Sequence, residues 1–145
     1  MAGTNPINTL APFAEVFQVD GNGTTAVDVW DIPKNTIITG VLCEVVVAAT
    51  GSANNIIVGD EDDDNGYILA AAVCGATVGT IFGDEMDERG AYTNAGLDLA
   101  SLQHGGQWKV YTAKNTLRID CSADGTIEPT VKIYVFGYRV PELSA

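Results

Sequence analysis

Along most of this chain apolar and polar residues change places at every second position. Short alternating runs are broken by clusters of Gly, Pro, Asn and Asp, a pattern that specifies strands and tight turns and not helices. Strands are expected at 15–19, 25–31, 36–48, 55–58, 67–73, 107–112, 115–121 and 127–139. Asp20-Gly21-Asn22-Gly23 supplies residues that tolerate positive φ, Ile32-Pro33-Lys34-Asn35 makes a second turn, and Ser122-Ala123-Asp124-Gly125 carries an Asp-Gly hairpin signal. The run 36–48 is apolar on both sides, with Val41, Cys43, Val45 and Val47 opposed to Leu42, Glu44 and Val46, so a central strand covered on both faces is expected. Residues 83–106 break the pattern and read as a long surface excursion with room for one helical turn.

Two regions stand apart from the strand pattern. Residues 1–14 hold two prolines and no charge, and they show neither strand alternation nor a helix cap. They read as an extended arm, of a kind that is either disordered alone or tied down on a neighbour. The last strand is two-faced: Val131, Ile133 and Val135 point one way, Tyr134, Phe136 and Tyr138 the other. With the aliphatic face in the core, the aromatic face is either covered by the chain's own long loop or forms an interface. The spacing of strands and turns predicts an all-β fold, an antiparallel two-sheet β-sandwich. Its organisation is an arm (1–14) followed by one sandwich domain (15–145).

Composition narrows the function. The 145 residues carry 19 Asp+Glu against 7 Lys+Arg, a formal net charge of −12, which repels phosphate backbones and excludes nucleic acid as the partner. The charge is uneven: up to Glu88 the only base is Lys34, while the six other bases lie beyond it. Such a contrast serves docking of copies head to tail or onto a basic surface, or else a solvated acidic face. Cys43, Cys74 and Cys121 form no CxxC, and Cys43 and Cys121 sit among strand residues as small buried hydrophobes. The N-terminal residues have no basic and apolar signal pattern, no apolar run spans a bilayer, and synthesis in a reducing cytoplasm is expected.

Catalytic chemistry finds little to build on. His104 is the one histidine; Asp98 and Ser101 lie near it in sequence, but Gly-rich flanks give no rigid site, and the chain is expected not to be an enzyme. The acidic loop 60–66 is the one place for ion chemistry. Counted from Glu61 as an EF-hand loop, Asp63, Asn65 and Gly66 fit, but position twelve is Ala72 where a bidentate Glu is required. No cofactor is therefore expected beyond a partial calcium site on Asp60, Asp62 and Asp64. The plainer reading is a charged hairpin tip that resists edge-to-edge aggregation.

The strand Ile32-Pro33-Lys34-Asn35-Thr36-Ile37-Ile38-Thr39-Gly40-Val41, the loop from Val58-Gly59-Asp60 to Asn65-Gly66-Tyr67-Ile68, and the closing strand Val131–Tyr138 together resemble the small capsid decoration, or cement, proteins of tailed bacteriophages and cyanophages. The resemblance implies a jelly-roll sandwich that trimerises on the outer surface of a virion and bridges subunits of the major capsid protein. It implies no catalytic residue. Pro6, Leu10, Pro12 and Phe13 of the arm, with Tyr134, Phe136 and Tyr138, are then the expected interface. The alternative is a glycan- or receptor-binding jelly-roll module of a phage head or tail fibre, with Trp108, Tyr111 or Tyr92 as sugar-stacking platforms. Trp30 and Trp108 otherwise read as core residues.

Overall fold

The computed structural model describes residues 10–21, 26–51, 54–72, 76–93, 108–123 and 125–140, and every structural statement below concerns these. They form nine strands in chain order: β1 (Ala11–Asp20), β2 (Val27–Ile32), β3 (Thr36–Val47), β4 (Asn54–Gly59), β5 (Ile68–Ala72), β6 (Ile81–Phe82), β7 (Lys109–Tyr111), β8 (Asn115–Ala123) and β9 (Thr130–Arg139). A single 3₁₀ turn, Met86–Glu88, lies between β6 and β7, inside the stretch where one helical turn was expected. Sheet A has the order β1-β9-β3-β6, with β7 pairing on β3 beside β6, and sheet B has the order β2-β8-β4-β5. All pairings are antiparallel, and the two sheets make the expected jelly-roll-like sandwich.

Alternation decides what lies between the sheets. Val19, Ile38, Val41, Cys43, Val45, Val131, Ile133 and Val135 face inward from sheet A, against Ile56, Val58, Leu117, Ile119 and Cys121 from sheet B. β-branched residues dominate because they suit the pleated surface at little cost in rotamer freedom. Full burial of each Ile, Leu or Val contributes about 1.5–3 kcal/mol. Cys43 and Cys121 are both buried, as their apolar neighbourhoods imply.

The turn after β2 shows how local chemistry sets the crossover between sheets. Asn35 adopts φ 63°, a left-handed conformation that asparagine tolerates. Its N–H donates to the Tyr111 carbonyl (2.6 Å), and its carbonyl accepts from Val140 N–H (2.9 Å). Thr36 Oγ1 donates to the Pro33 carbonyl (2.7 Å). The turn thus ties together the starts of β3 and the ends of β7 and β9.

The structure departs from the sequence expectation at three points. β1 begins at Ala11 and not at Glu15, so residues 11–14 belong to the sheet and not to an arm; residues 1–9 lie outside the described residues. Here β1 pairs with β9 as far as Ala11 with Arg139, and Phe13 lies opposite Gly137, where a side chain would run into the Ile37 carbonyl and the Phe13 ring. β6 is only two residues long and was not anticipated. Finally, β3 is central within sheet A, yet one of its faces (Ile37, Leu42, Glu44, Val46) is only half-buried, and Val47 beyond a bulge is exposed.

Candidate interaction surface

Register places the outward side chains of sheet A in rows. Pro12, Tyr138, Ile37 and Val110 form one row across β1, β9, β3 and β7. Ala14, Phe136 and Gly40 form the next, and Val16, Tyr134 and Leu42 a third. A fourth row, Gln18, Lys132, Glu44 and Ile81, brings the first charges. The first three rows hold no charged residue at all. Val16 and Val110 are each 55% exposed, Phe136 38% and Tyr138 36%, so this apolar face meets solvent. It is a contiguous uncharged face on a protein of net charge −12.

The expected interface residues divide. Tyr138 and Phe136 stand on this face, and Pro12 joins them from β1. Tyr134 is half-buried because its hydroxyl donates to Glu44 Oε2 at 2.6 Å. That hydrogen bond, first among the causes, raises the Tyr134 phenol above its ordinary pKa. Leu10 is exposed just before β1, and Pro6 lies outside the described residues. Phe13 points the other way. It packs against Trp30 (ring centroids 5.7 Å apart) at the open side of the sandwich, where Phe17 also meets Trp30 at 5.8 Å. The Arg139 guanidinium sits 4.9 Å from the Phe13 ring and 3.4 Å from Glu15. Trp30 is half-buried there, and Trp108, read as core from the sequence, is 60% exposed because it precedes a short edge strand with nothing described above it.

Sheet B presents opposite chemistry. Its outer surface carries Asp28, Arg118 and Asp120 beside the loop 60–64, which encloses an open depression of about 430 Å³ lined by five consecutive acids, Asp120 and Arg118. Within this loop Asp60 is not a solvated charge. Its side chain is fully buried, and Oδ1 accepts from Asp62 N–H (2.9 Å), Asp63 N–H (3.0 Å) and the Tyr92 hydroxyl (3.0 Å). Oδ2 accepts from the Tyr111 hydroxyl at 2.6 Å, and Lys109 Nζ stands 3.8 Å away. The Tyr111 hydroxyl also lies 2.7 Å from that of Tyr67.

Asp62 is held by Asn115 Nδ2 (3.0 Å) and Lys109 Nζ (3.4 Å), while Asp64 is exposed. Of the expected calcium ligands Asp60 and Asp62 meet at Lys109, and the Asp60 oxygens are occupied by protein donors. Among the described residues no group of three or more His, Cys, Asp or Glu is arranged to hold a metal.

Burial is the largest cause that pushes the Tyr67, Tyr92 and Tyr111 phenols well above the ordinary value of 10.0, and the Asp60 charge acts in the same direction. This network escaped sequence reading, since Asp60, Tyr67, Tyr92, Lys109 and Tyr111 lie up to 51 positions apart. Of its tyrosines only Tyr111 stands in a strand, so periodicity gave no signal for Tyr92. Tyr111 is buried and Tyr92 is pinned against Tyr67, so of the three suggested sugar platforms only Trp108 offers an open ring. Asp98, Ser101, His104 and Cys74 lie outside the described residues. No helix is long and apolar enough to cross a membrane among the described residues.

No protein family model matches the sequence, and no curated protein does. Two solved structures share the fold. A chain of the cyanophage Pam1 capsid asymmetric unit is 19% identical with a TM-score of 0.58, over 96% of this chain and 91% of that one. A chain of the acidic stable capsid structure of Helicobacter pylori bacteriophage KHP30 is 14% identical with a TM-score of 0.51, over 94% of this chain and 97% of that one. Each match spans more than nine-tenths of both chains, so the likeness is to a whole small sandwich and not to a fragment of a larger subunit.

Proposed function

We propose that this chain is a structural protein of a phage virion that decorates the outer surface of the capsid and stabilises it by bridging subunits of the major capsid protein. The observation that carries this reading is the two-sidedness of the sandwich. One sheet offers three uncharged rows centred on Phe136, and the other offers an acidic surface. A subunit present at high copy number benefits from such a division, because the apolar side makes contacts while the acidic side stays hydrated and repels stray association. The fold shared with chains of two phage capsid structures supports the same reading.

In this role the protein catalyses nothing and needs no cofactor. Copies assemble as homo-oligomers, trimers according to the sequence resemblance, with Tyr134, Phe136 and Tyr138 at the contact. Residues before β1, including Pro6 and Leu10, reach a neighbouring subunit. Because β1 begins at Ala11, the deletion that separates reach from folding removes residues 1–9 and spares Phe13. That variant keeps the far-ultraviolet spectrum and melting temperature of the full chain but occupies fewer sites on coat shells in a co-sedimentation assay. Unchanged occupancy contradicts the role given to the segment. The fibre-module reading retains one open aromatic, Trp108, and a glycan array that returns specific hits lost in Trp108→Ala would favour it instead.

A further inference from the structure

β1 is the outer strand of sheet A, and one of its two edges is occupied by β9 over ten residue pairs without a bulge. The direction of its hydrogen bonds can be fixed. Gly21 N–H donates to the Pro129 carbonyl at 2.8 Å, one step beyond the last pair, Asp20 with Thr130, of that ladder. Odd-numbered residues of β1 therefore bond to β9, because N–H and C=O groups alternate sides along a strand. The N–H and C=O groups of Ala14, Val16, Gln18 and Asp20 point to the free edge, where no described residue takes them. Pro12, which lacks an N–H, belongs to the same even set and so costs sheet A no bond. A long, flat edge with no lysine and no bulge is a template for strand pairing.

We propose that this edge pairs antiparallel with β1 of a second copy about a two-fold axis at Phe17. In this register Ala14 faces Asp20 of the second copy and Val16 faces Gln18, so all four outward N–H groups find carbonyls, and Pro12 stays outside the ladder. Charge excludes a two-fold at Glu15 or at Asp20, either of which sets a carboxylate against its own copy, whereas here Glu15 lies opposite Val19 and Asp20 opposite Ala14. A second copy also accounts for the half-exposed aromatics beside the edge. Phe17 meets Phe17 of the other chain on the inner side, and together the copies cover Phe13, Phe17 and Trp30, which line the open side of each sandwich. An isologous contact needs self-complementarity, and an antiparallel strand paired with itself has it by construction. The contact rests on no part of the capsid reading. Copies that meet on the aromatic face of sheet A keep their β1 edges free, so the two-fold links one such assembly to the next.

The test uses the full chain alone in solution. Light scattering behind a sizing column gives an even multiple of 15.2 kDa for the wild type. Gln18→Pro removes an edge N–H while leaving the odd-numbered bonds to β9, as Pro12 already does. It raises the dissociation constant of the contact by about tenfold or more and halves the mass. Hydrogen exchange supplies a readout without substitution. The amides of Ala14, Val16, Gln18 and Asp20 are protected at high protein concentration and exchange freely on dilution, while those of Phe13, Glu15, Phe17 and Val19 are protected at both. A mass that does not change in Gln18→Pro, or even-numbered amides that exchange freely at every concentration, overturns the proposal. Neither result bears on binding to a coat shell, which the co-sedimentation assay reads separately.

Discussion

Asp60 shows how much a single carboxylate does in this sandwich. It terminates β4, accepts two backbone amides of its own loop, and anchors the hydroxyls of Tyr92 and Tyr111 from segments far along the chain. A buried charge is tolerated only when its lone pairs are so engaged. Tyr111→Phe removes one donor from Asp60 and one partner from Tyr67. It is expected to cost about 1–3 kcal/mol, read as a shift in the urea midpoint at unchanged slope. The same network predicts alkaline lability. The phenols of Tyr67, Tyr92 and Tyr111 have folded-state pKa values raised above 10.0, so the stability they contribute is complete below pH 10 and is lost as pH rises beyond it, when the unfolded chain gives up protons that the native state keeps. Absorbance at 295 nm checks this: these phenols stay un-ionised at about pH 11 while the fold persists and ionise together when it unfolds. Gradual ionisation within the folded state contradicts the buried network. In the sequence Asp60 is indistinguishable from the four acids that follow it, because burial is a property of its tyrosine partners and not of its own run.

At the level of elements, the strand pattern was legible wherever one face is buried. Thr36 to Val47 matches its expected strand within one residue, and the alternation in β9 correctly separates Val131, Ile133 and Val135 from Tyr134, Phe136 and Tyr138. What failed has physical causes. Phe13 looked like part of an arm because proline at position 12 and alanines at 11 and 14 gave no alternation; its partner across the ladder, Gly137, lies 124 residues away. Phe13→Ala is expected to lower stability by about 3 kcal/mol, since it uncovers Gly137 and withdraws a ring from Trp30 and Arg139. An exposed arm residue would cost nothing measurable in the same denaturation experiment. β6 is too short to carry a periodic signal and exists because β3 offers it an edge, with Val45 N–H bonded to the Thr80 carbonyl at 2.9 Å.

Across the whole molecule, the sandwich separates two kinds of surface. The sequence revealed the acid excess and the aromatic strand, but not that they lie on opposite sheets, since that follows from strand order. Alternation alone does not say whether β9 neighbours β3 and β1 or the acidic hairpin. Once β9 sits between them, Pro12, Ala14, Val16, Ile37 and Leu42 extend the aromatic face into three uncharged rows, and the loop of Asp60–Asp64 is left with sheet B. The central claim is that the apolar face of sheet A makes the contacts and the acidic face of sheet B meets solvent. Electron cryomicroscopy of coat shells mixed with the purified protein tests it most directly. Phe136 and Tyr138 are expected in density shared with the shell or with an adjacent copy, and the loop 60–64 is expected to project outward. Binding with the acidic loop against the shell and Phe136 in solvent, or no density for the chain at saturating concentration, contradicts the account.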